Sequence, residues 1–196
     1  MADQTQLDPD SYRFLSPSQL KALLSDGIAD RAETAKRMEE YFDRLFPLMR
    51  SITGQGVRDS FEVLSEVLPL EVIEVPSGSQ VFDWTVPKEW VFREAYLKGP
   101  DGERVVDAAN HTLHLLNYSV PFSGELDREA LDDHLYSLPE QPDAIPYVTS
   151  YYKERWGFCL SQKHRESLPD GRYQVHIDTD HIDGSLSIGE AVLPGE

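Results

Sequence analysis

The sequence contains a single cysteine, Cys159, and few basic residues for its length. A single cysteine excludes an internal disulfide. Its place in the apolar stretch Trp156–Leu160 predicts a buried, unreactive thiol, because no neighbouring group would activate it. The sequence has 18 Lys and Arg residues and 35 Asp and Glu residues, so the formal net charge is −17. Such a surface repels phosphate backbones and anionic lipids, which predicts that neither nucleic acid nor a membrane is a principal partner.

Hydrophobic runs of membrane-spanning length are also absent. The first residues, Met1–Gln4, lack the basic and apolar regions of a signal peptide. We therefore expect a cytoplasmic protein. The 196 residues suit one large domain or two small ones, and the 40% of hydrophobic residues provide material for a core.

The part of the chain before Pro76 has mainly helical patterns. Capping signals and apolar residues at three- and four-residue spacing predict helices over 16–27, 30–49 and 57–68. Pro47 should kink or break the last turn of the second helix. Gly54-Gln55-Gly56 is interpreted as a turn between helices, because a dinucleotide-binding loop would follow a strand and carry a third glycine.

The later part of the chain has mainly β patterns. Strands are predicted at 71–75, 95–98, 104–106, 112–120, 156–161, 173–177 and 186–193. The turn Gly99–Gly102 should join the second and third of these into a hairpin. The last two are predicted to pair across a loop at 180–184, and a short helix is predicted at 127–138. These patterns predict an α+β fold: N-terminal helices with one strand, followed by a β-rich module.

Histidine and aspartate residues cluster near the end of the sequence: His176, Asp178, Asp180, His181 and Asp183. On a strand the first three would share one face, and their side chains suit zinc or a harder cation. The cluster also crosses a strand end and a hairpin loop, where aspartate is common for turn reasons. Turn chemistry is the favoured interpretation, and metal binding by His176, Asp178 and Asp180 stays open.

Two aromatic segments, 81–90 and 151–156, contain all three tryptophans. Their rings could line a pocket with apolar faces and a few polar groups, although buried rings more often fill a core. The candidate substrate-binding residues are Asp83, Trp84, Tyr152 and Trp156. Asp83 is singled out because a carboxylate between two aromatic residues needs a partner or a role.

Several segments follow one another in an order that resembles a known family. They are Arg50–Arg58, Phe82–Trp90, Asn117–Pro121, Thr149–Leu160 and Asp183–Leu186. From about residue 40 onward the chain resembles a bacterial family of aminopeptidase-like proteins related to the M28 zinc peptidases. Members of that family carry the domains of unknown function DUF4910 and DUF2172. The resemblance implies a peptidase-like α/β domain that is interrupted by a β-rich insertion.

The resemblance implies a division of the chain into three parts. Residues 1–79 would be the helical start of the aminopeptidase-like domain, 80–187 the DUF2172-like insertion, and 188–196 the return into the peptidase-like sheet. The family's Cys-His-Pro metal motif, its acidic ligands and a winged-helix region would come after residue 196. No catalytic residue and no metal ligand is therefore carried over to this chain. Zinc is expected in the full-length family, and no cofactor is expected in this chain.

Two functions are expected on this basis. In the first, the chain is the N-terminal portion of a zinc-dependent aminopeptidase-like hydrolase and is inactive alone. The full-length substrate would be a small peptide or an aminoacyl or sugar-linked molecule. In the second, the chain is a non-catalytic β-rich binding or interaction module with a link to polysaccharide biosynthesis. The oligomeric state is not predicted.

Overall fold

A computed structural model describes residues 31–192, so the predicted helix at 16–27 lies outside the described residues. The chain divides into two compact units between Asp43 and Arg44. Helix α1 covers Arg31–Leu45. It ends two residues before Pro47, whose ring cannot continue a helix, which confirms the predicted break.

Helix α2 covers Gln55–Ser65 and strand β1 covers Leu70–Pro76, as predicted. Gly54 directly precedes α2 and has a φ of 107°. A Cβ atom at Gly54 would lie 2.4 Å from the carbonyl oxygen of Trp90. The glycine therefore serves a close backbone approach at the start of the helix, which confirms the interpretation as a turn.

Four antiparallel strands form the central sheet in the order β5–β4–β9–β6. Their bounds are Glu89–Lys98 for β4, Arg104–Asp107 for β5, Phe122–Asp127 for β6 and Arg172–Ile182 for β9. The predicted hairpin between β4 and β5 is confirmed. Side chains alternate along β9 between a buried face and a more exposed one, as in a sheet with one solvated face.

Short elements connect and cover this sheet. They are β2 (Gln80–Val81), β3 (Trp84–Thr85), a 3₁₀ turn (Thr112–His114), α3 (Arg128–Asp132), β7 (Leu135–Tyr136), β8 (Phe158–Cys159) and α4 (Gln162–Ser167). The predicted strand at 112–120 is wrong, because the segment starts as the 3₁₀ turn and continues as irregular backbone. The predicted helix at 127–138 is too long, because the chain leaves α3 after Asp132 and enters β7.

Strand β10 covers Ser185–Ala191 and pairs antiparallel with β1, from Leu70 opposite Ala191 to Pro76 opposite Ser185. The predicted pairing of 173–177 with 186–193 is therefore wrong. Strand β9 hydrogen-bonds to β4 along one edge and to β6 along the other. With both edges of β9 occupied, the following strand finds its partner in β1.

The core lies under the central sheet and is formed by large buried side chains. These include Leu97, Leu116, Leu131, Phe158, Leu160, Tyr173, Val175 and Ile177. The α+β class is confirmed. Cys159 is buried, as predicted, and burial raises the pKa of its thiol to about 12. No helix within residues 31–192 is both long enough and apolar enough to cross a bilayer.

Candidate functional site

Four of the segments that carry the family resemblance meet in the structure. They contribute residues 50–54, 88–90, 117–119 and 149–152, and the region they form is named the motif junction. The segments are far apart in sequence, yet hydrogen bonds connect all four of them. The junction is therefore built by the fold rather than by any single motif.

Asn117 is the central residue of the motif junction and is only 5% exposed. Its Oδ1 atom accepts a hydrogen bond from Ser51 Oγ at 2.7 Å, and its Nδ2 atom donates to the Arg50 carbonyl oxygen at 2.6 Å. Its own carbonyl oxygen accepts from the Ser150 amide at 3.1 Å. The Tyr151 hydroxyl donates to Oδ1 at 3.4 Å. Both ends of the buried amide have hydrogen-bond partners, and these bonds hold residues 50–51, 117 and 150–151 together.

A second set of hydrogen bonds joins Lys88 and Trp90, at the start of β4, to Thr53 and Tyr118. The carbonyl oxygen of Lys88 accepts from the Tyr118 hydroxyl at 2.5 Å and from Thr53 Oγ1 at 3.2 Å. The Trp90 amide donates to Thr53 Oγ1 at 3.0 Å. Tyr118 has a φ of 67°, in the left-handed region that an aromatic residue rarely adopts. Such strained residues cluster at ligand sites, where the surrounding contacts hold them in place.

One cavity at the junction has a volume of about 550 Å³ and is named the first cavity. Its lining residues are Leu48, Met49, Arg50, Ser51, Ile52, Thr112, Leu113, Leu115, Asn117, Tyr147 and Tyr151. Apolar side chains form most of this wall, with hydroxyl and amide groups among them. The guanidinium of Arg50 donates to the Leu45 carbonyl oxygen, a neutral acceptor that does not balance its positive charge. The first cavity is suited to a mainly apolar ligand with a few hydrogen-bonding groups, and Arg50 offers a positive charge at its wall.

A second cavity also has Tyr151 in its lining and has a volume of about 250 Å³. Its lining residues are Pro87, Lys88, Tyr118, Val120, Ser150, Tyr151, Tyr152, Lys153, Glu154 and His181. The imidazole of His181 packs edge-on against the Tyr118 ring at 4.4 Å between centroids. Burial lowers the pKa of His181, which favours the neutral imidazole.

Four residues of the predicted His/Asp cluster lie on β9, with His176, Asp178 and Asp180 on one face as expected for a strand, and Asp183 follows the strand. Arg93 donates to Asp178 Oδ1 from Nε at 2.8 Å and to Asp180 Oδ2 at 2.7 Å. The hydrogen bond from Arg93 lowers the pKa of Asp178. His176 Nδ1 lies 3.2 Å from Ser123 Oγ. The guanidinium thus occupies the place that a cation would take, and residues 31–192 contain no group of three or more His, Cys, Asp or Glu side chains arranged to hold a metal.

The structure separates the four candidate substrate-binding residues. Tyr152 is 85% exposed and lines the second cavity. Trp156 is in the core, where its ring stacks on His134 at 3.6 Å and on Phe122 at 4.1 Å between centroids.

Asp83 and Trp84 lie in the β2–β3 hairpin and line neither cavity. Asp83 is exposed, so water hydrates its carboxylate and no protein partner is required. A binding role for any of the four residues stays a prediction.

Sequence reasoning did not select the residues that join the segments, namely Ser51, Thr53, Asn117, Tyr118 and Tyr151. The available signal was the family resemblance, because each of these residues stands in a segment that carries it. Small polar residues inside otherwise apolar segments were the second signal, since a buried polar side chain requires a partner. Neither signal indicates which segments touch one another.

Comparison with known proteins places this site in a family context. Residues 89–180 match the domain of unknown function DUF2172. The match covers the chain from β4 to β9 and includes the junction segments around Asn117 and Tyr151. Together with the two relatives described next, it supports an aminopeptidase-like family.

A Clostridium acetobutylicum protein, named for polysaccharide biosynthesis and an aminopeptidase-like domain, is 44% identical over 169 residues. The alignment covers 86% of this chain and 39% of that protein. A crystal structure from the same organism, described by name as a peptidase, superposes with a TM-score of 0.80 and 42% identity. The superposition covers 87% of this chain and 40% of the crystallised chain. The chain thus spans about two fifths of the length of these relatives.

Proposed function

We propose that this chain forms the N-terminal portion of an aminopeptidase-like hydrolase, related to the M28 zinc peptidases and to proteins with DUF4910. In this proposal residues 31–192 shape access to the substrate. The observation that carries it is the 44% identity over 86% of the chain to the aminopeptidase-like relative. The peptidase name of the superposed crystal structure supports the same class.

The described residues do not fit a zinc ion. The carboxylates of Asp178 and Asp180 are hydrogen-bonded to Arg93, and His176 lies beside Ser123. Catalytic zinc needs three protein ligands and an open position, which this face does not offer. Zinc in the full-length family would therefore be held by other residues, and we expect the chain alone to be inactive.

The first cavity is the part of the structure best suited to a peptide or aminoacyl substrate. A peptide group carries one donor and one acceptor. The Tyr151 hydroxyl donates to Asn117 Oδ1, so the Tyr147 hydroxyl donates to Tyr151 across 2.9 Å, and both oxygens keep lone pairs that can accept from a peptide N–H. Leu113 and Leu115 add apolar surface for a side chain. The same groups suit an aminoacyl unit that is linked to a sugar.

Titration with the dipeptide Leu-Gly, followed by saturation-transfer NMR, tests whether the chain contacts such substrates. We expect weak, saturable binding that Tyr147→Ala lowers about fivefold, the effect of losing roughly one hydrogen bond. Phe82→Ala is the matched control, because Phe82 is 98% exposed and lines neither cavity. Absence of binding, or an equal loss in both variants, would contradict the proposal.

A second candidate function is a non-catalytic binding module linked to polysaccharide biosynthesis. The lack of a metal-ligand group within residues 31–192 favours it, as does the name of the Clostridium relative. For both candidates we propose a cytoplasmic protein without nucleic-acid or membrane partners. The net charge of −17 supports that choice of partners.

A further inference from the structure

Three tyrosine rings form the walls of the second cavity. The rings of Tyr118 and Tyr151 are 5.5 Å apart and inclined at 77°. The rings of Tyr151 and Tyr152 are 6.4 Å apart and inclined at 79°. Tyr118 is buried and strained, whereas Tyr152 turns most of its ring toward solvent. The cavity therefore has a fixed aromatic floor and one accessible aromatic face.

Positively and negatively charged side chains surround these rings. Lys88 and Lys153 supply donors and Glu154 supplies acceptors, while the neutral imidazole of His181 donates to the Tyr118 backbone and keeps its second ring nitrogen as an acceptor. The Lys88 ammonium is 4.0 Å from Asp183, and both side chains are largely exposed, so the pair is loose. The lining itself carries two ammonium groups and one carboxylate, and the Asp183 carboxylate beside Lys88 brings the local charge to zero, so the site does not select a ligand of one charge. It selects a ligand with several neutral hydroxyl groups that both donate and accept.

We propose that the second cavity binds one pyranose unit of a carbohydrate. A pyranose has an apolar face of C–H groups, which the electron-rich face of a tyrosine attracts, and an edge of hydroxyl groups. In this arrangement the C–H face packs on Tyr152, and the hydroxyl edge meets Lys88, Lys153 and Glu154. The volume of about 250 Å³ lies below the range of about 300–1,000 Å³ of pockets for drug-sized ligands, so a single sugar ring is the appropriate size. This inference deepens the binding-module function and rests on it.

Saturation-transfer NMR with uncharged methyl glycosides tests the inference on the intact chain. The probes are the methyl glycosides of glucose, galactose, mannose and N-acetylglucosamine. We expect saturable binding of at least one, with the strongest transfer to ring C–H protons. Tyr152→Ala should weaken that binding about tenfold, and Glu154→Gln should weaken it less. Tyr152 is largely exposed, so its replacement leaves the fold intact.

Phe82→Ala again serves as the control, because it removes an exposed ring outside the cavity and should leave sugar binding unchanged. The inference is overturned if none of the four glycosides binds, or if Tyr152→Ala and Phe82→Ala behave alike. It is also overturned if inorganic phosphate or methylammonium binds at Tyr152 and no glycoside does. A chain that binds Leu-Gly through Tyr147 but binds no glycoside keeps the hydrolase proposal and loses this one.

Discussion

At the scale of single residues, the ion pair of Arg58 and Glu89 stabilises the fold next to the motif junction. The Nη1 and Nη2 atoms of Arg58 donate to the two carboxylate oxygens of Glu89 at 2.7 and 2.8 Å. The Ser185 amide donates to the same carboxylate at 3.0 Å. One carboxylate thus connects α2, β4 and β10. The pair is mostly shielded from water, so its charge-assisted bonds contribute more than those of an exposed pair.

We expect Glu89→Gln to lower the free energy of unfolding by about 2 kcal/mol at pH 7, the range of hydrogen bonds to charged groups. Hydrogen bonds from Arg58 lower the pKa of Glu89 in the folded chain. Its contribution is therefore complete above the ordinary carboxyl pKa and is lost as pH falls through the lowered folded value. Urea unfolding at several pH values should show the difference between the two proteins shrinking below about pH 5.

The exposed pair of Arg93 and Asp178 provides the control for this prediction. Asp178→Asn removes a carboxylate with a similarly short bond, but solvent screens that pair. Its effect at pH 7 should be much smaller than that of Glu89→Gln. A difference for Glu89→Gln that stays constant from pH 7 to pH 3 would contradict the account.

At the scale of secondary-structure elements, Gly54 sets the start of α2 against β4. Gly54→Ala should lower the free energy of unfolding by about 3 kcal/mol, because it adds backbone strain and a clash 2.4 Å from the Trp90 carbonyl oxygen. Gly78→Ala is the matched control. Gly78 has a φ of 83° but no atom within 4 Å of the added Cβ, so only strain of about 1 kcal/mol applies. Equal losses in urea unfolding would show that the close approach to Trp90 is unimportant.

The same scale shows which elements sequence patterns can predict. The β4–β5 hairpin and the end of α1 depend on local signals, Gly99–Gly102 and Pro47, and both predictions were confirmed. The pairing of β10 with β1 joins residues more than a hundred positions apart, and no local sequence pattern indicates it. The segment 112–120 has the apolar character of a strand, but its backbone amides find partners in loops. The Leu116 amide, for example, donates to the Gly157 carbonyl oxygen at 3.0 Å.

At the scale of the whole molecule, the candidate site depends on contacts that no motif spacing contains. Ser51 and Asn117 meet across 66 positions of sequence, and Thr53 meets Lys88 across 35. The resemblance identified the segments, because they carry its motifs, but not their hydrogen bonds. Trp156 and Tyr152 are four positions apart, yet one is in the core and the other lines a cavity. Only the fold separates these two environments.

In the function we propose, residues 31–192 support substrate access in an aminopeptidase-like hydrolase and do not hold its metal. The most direct test is to add zinc to the purified chain and measure hydrolysis of leucine p-nitroanilide with and without chelator, together with the zinc retained after dialysis. We predict no chelator-sensitive turnover and much less than one retained zinc ion per chain. Turnover that chelator abolishes, with one zinc ion bound per chain, would contradict the account.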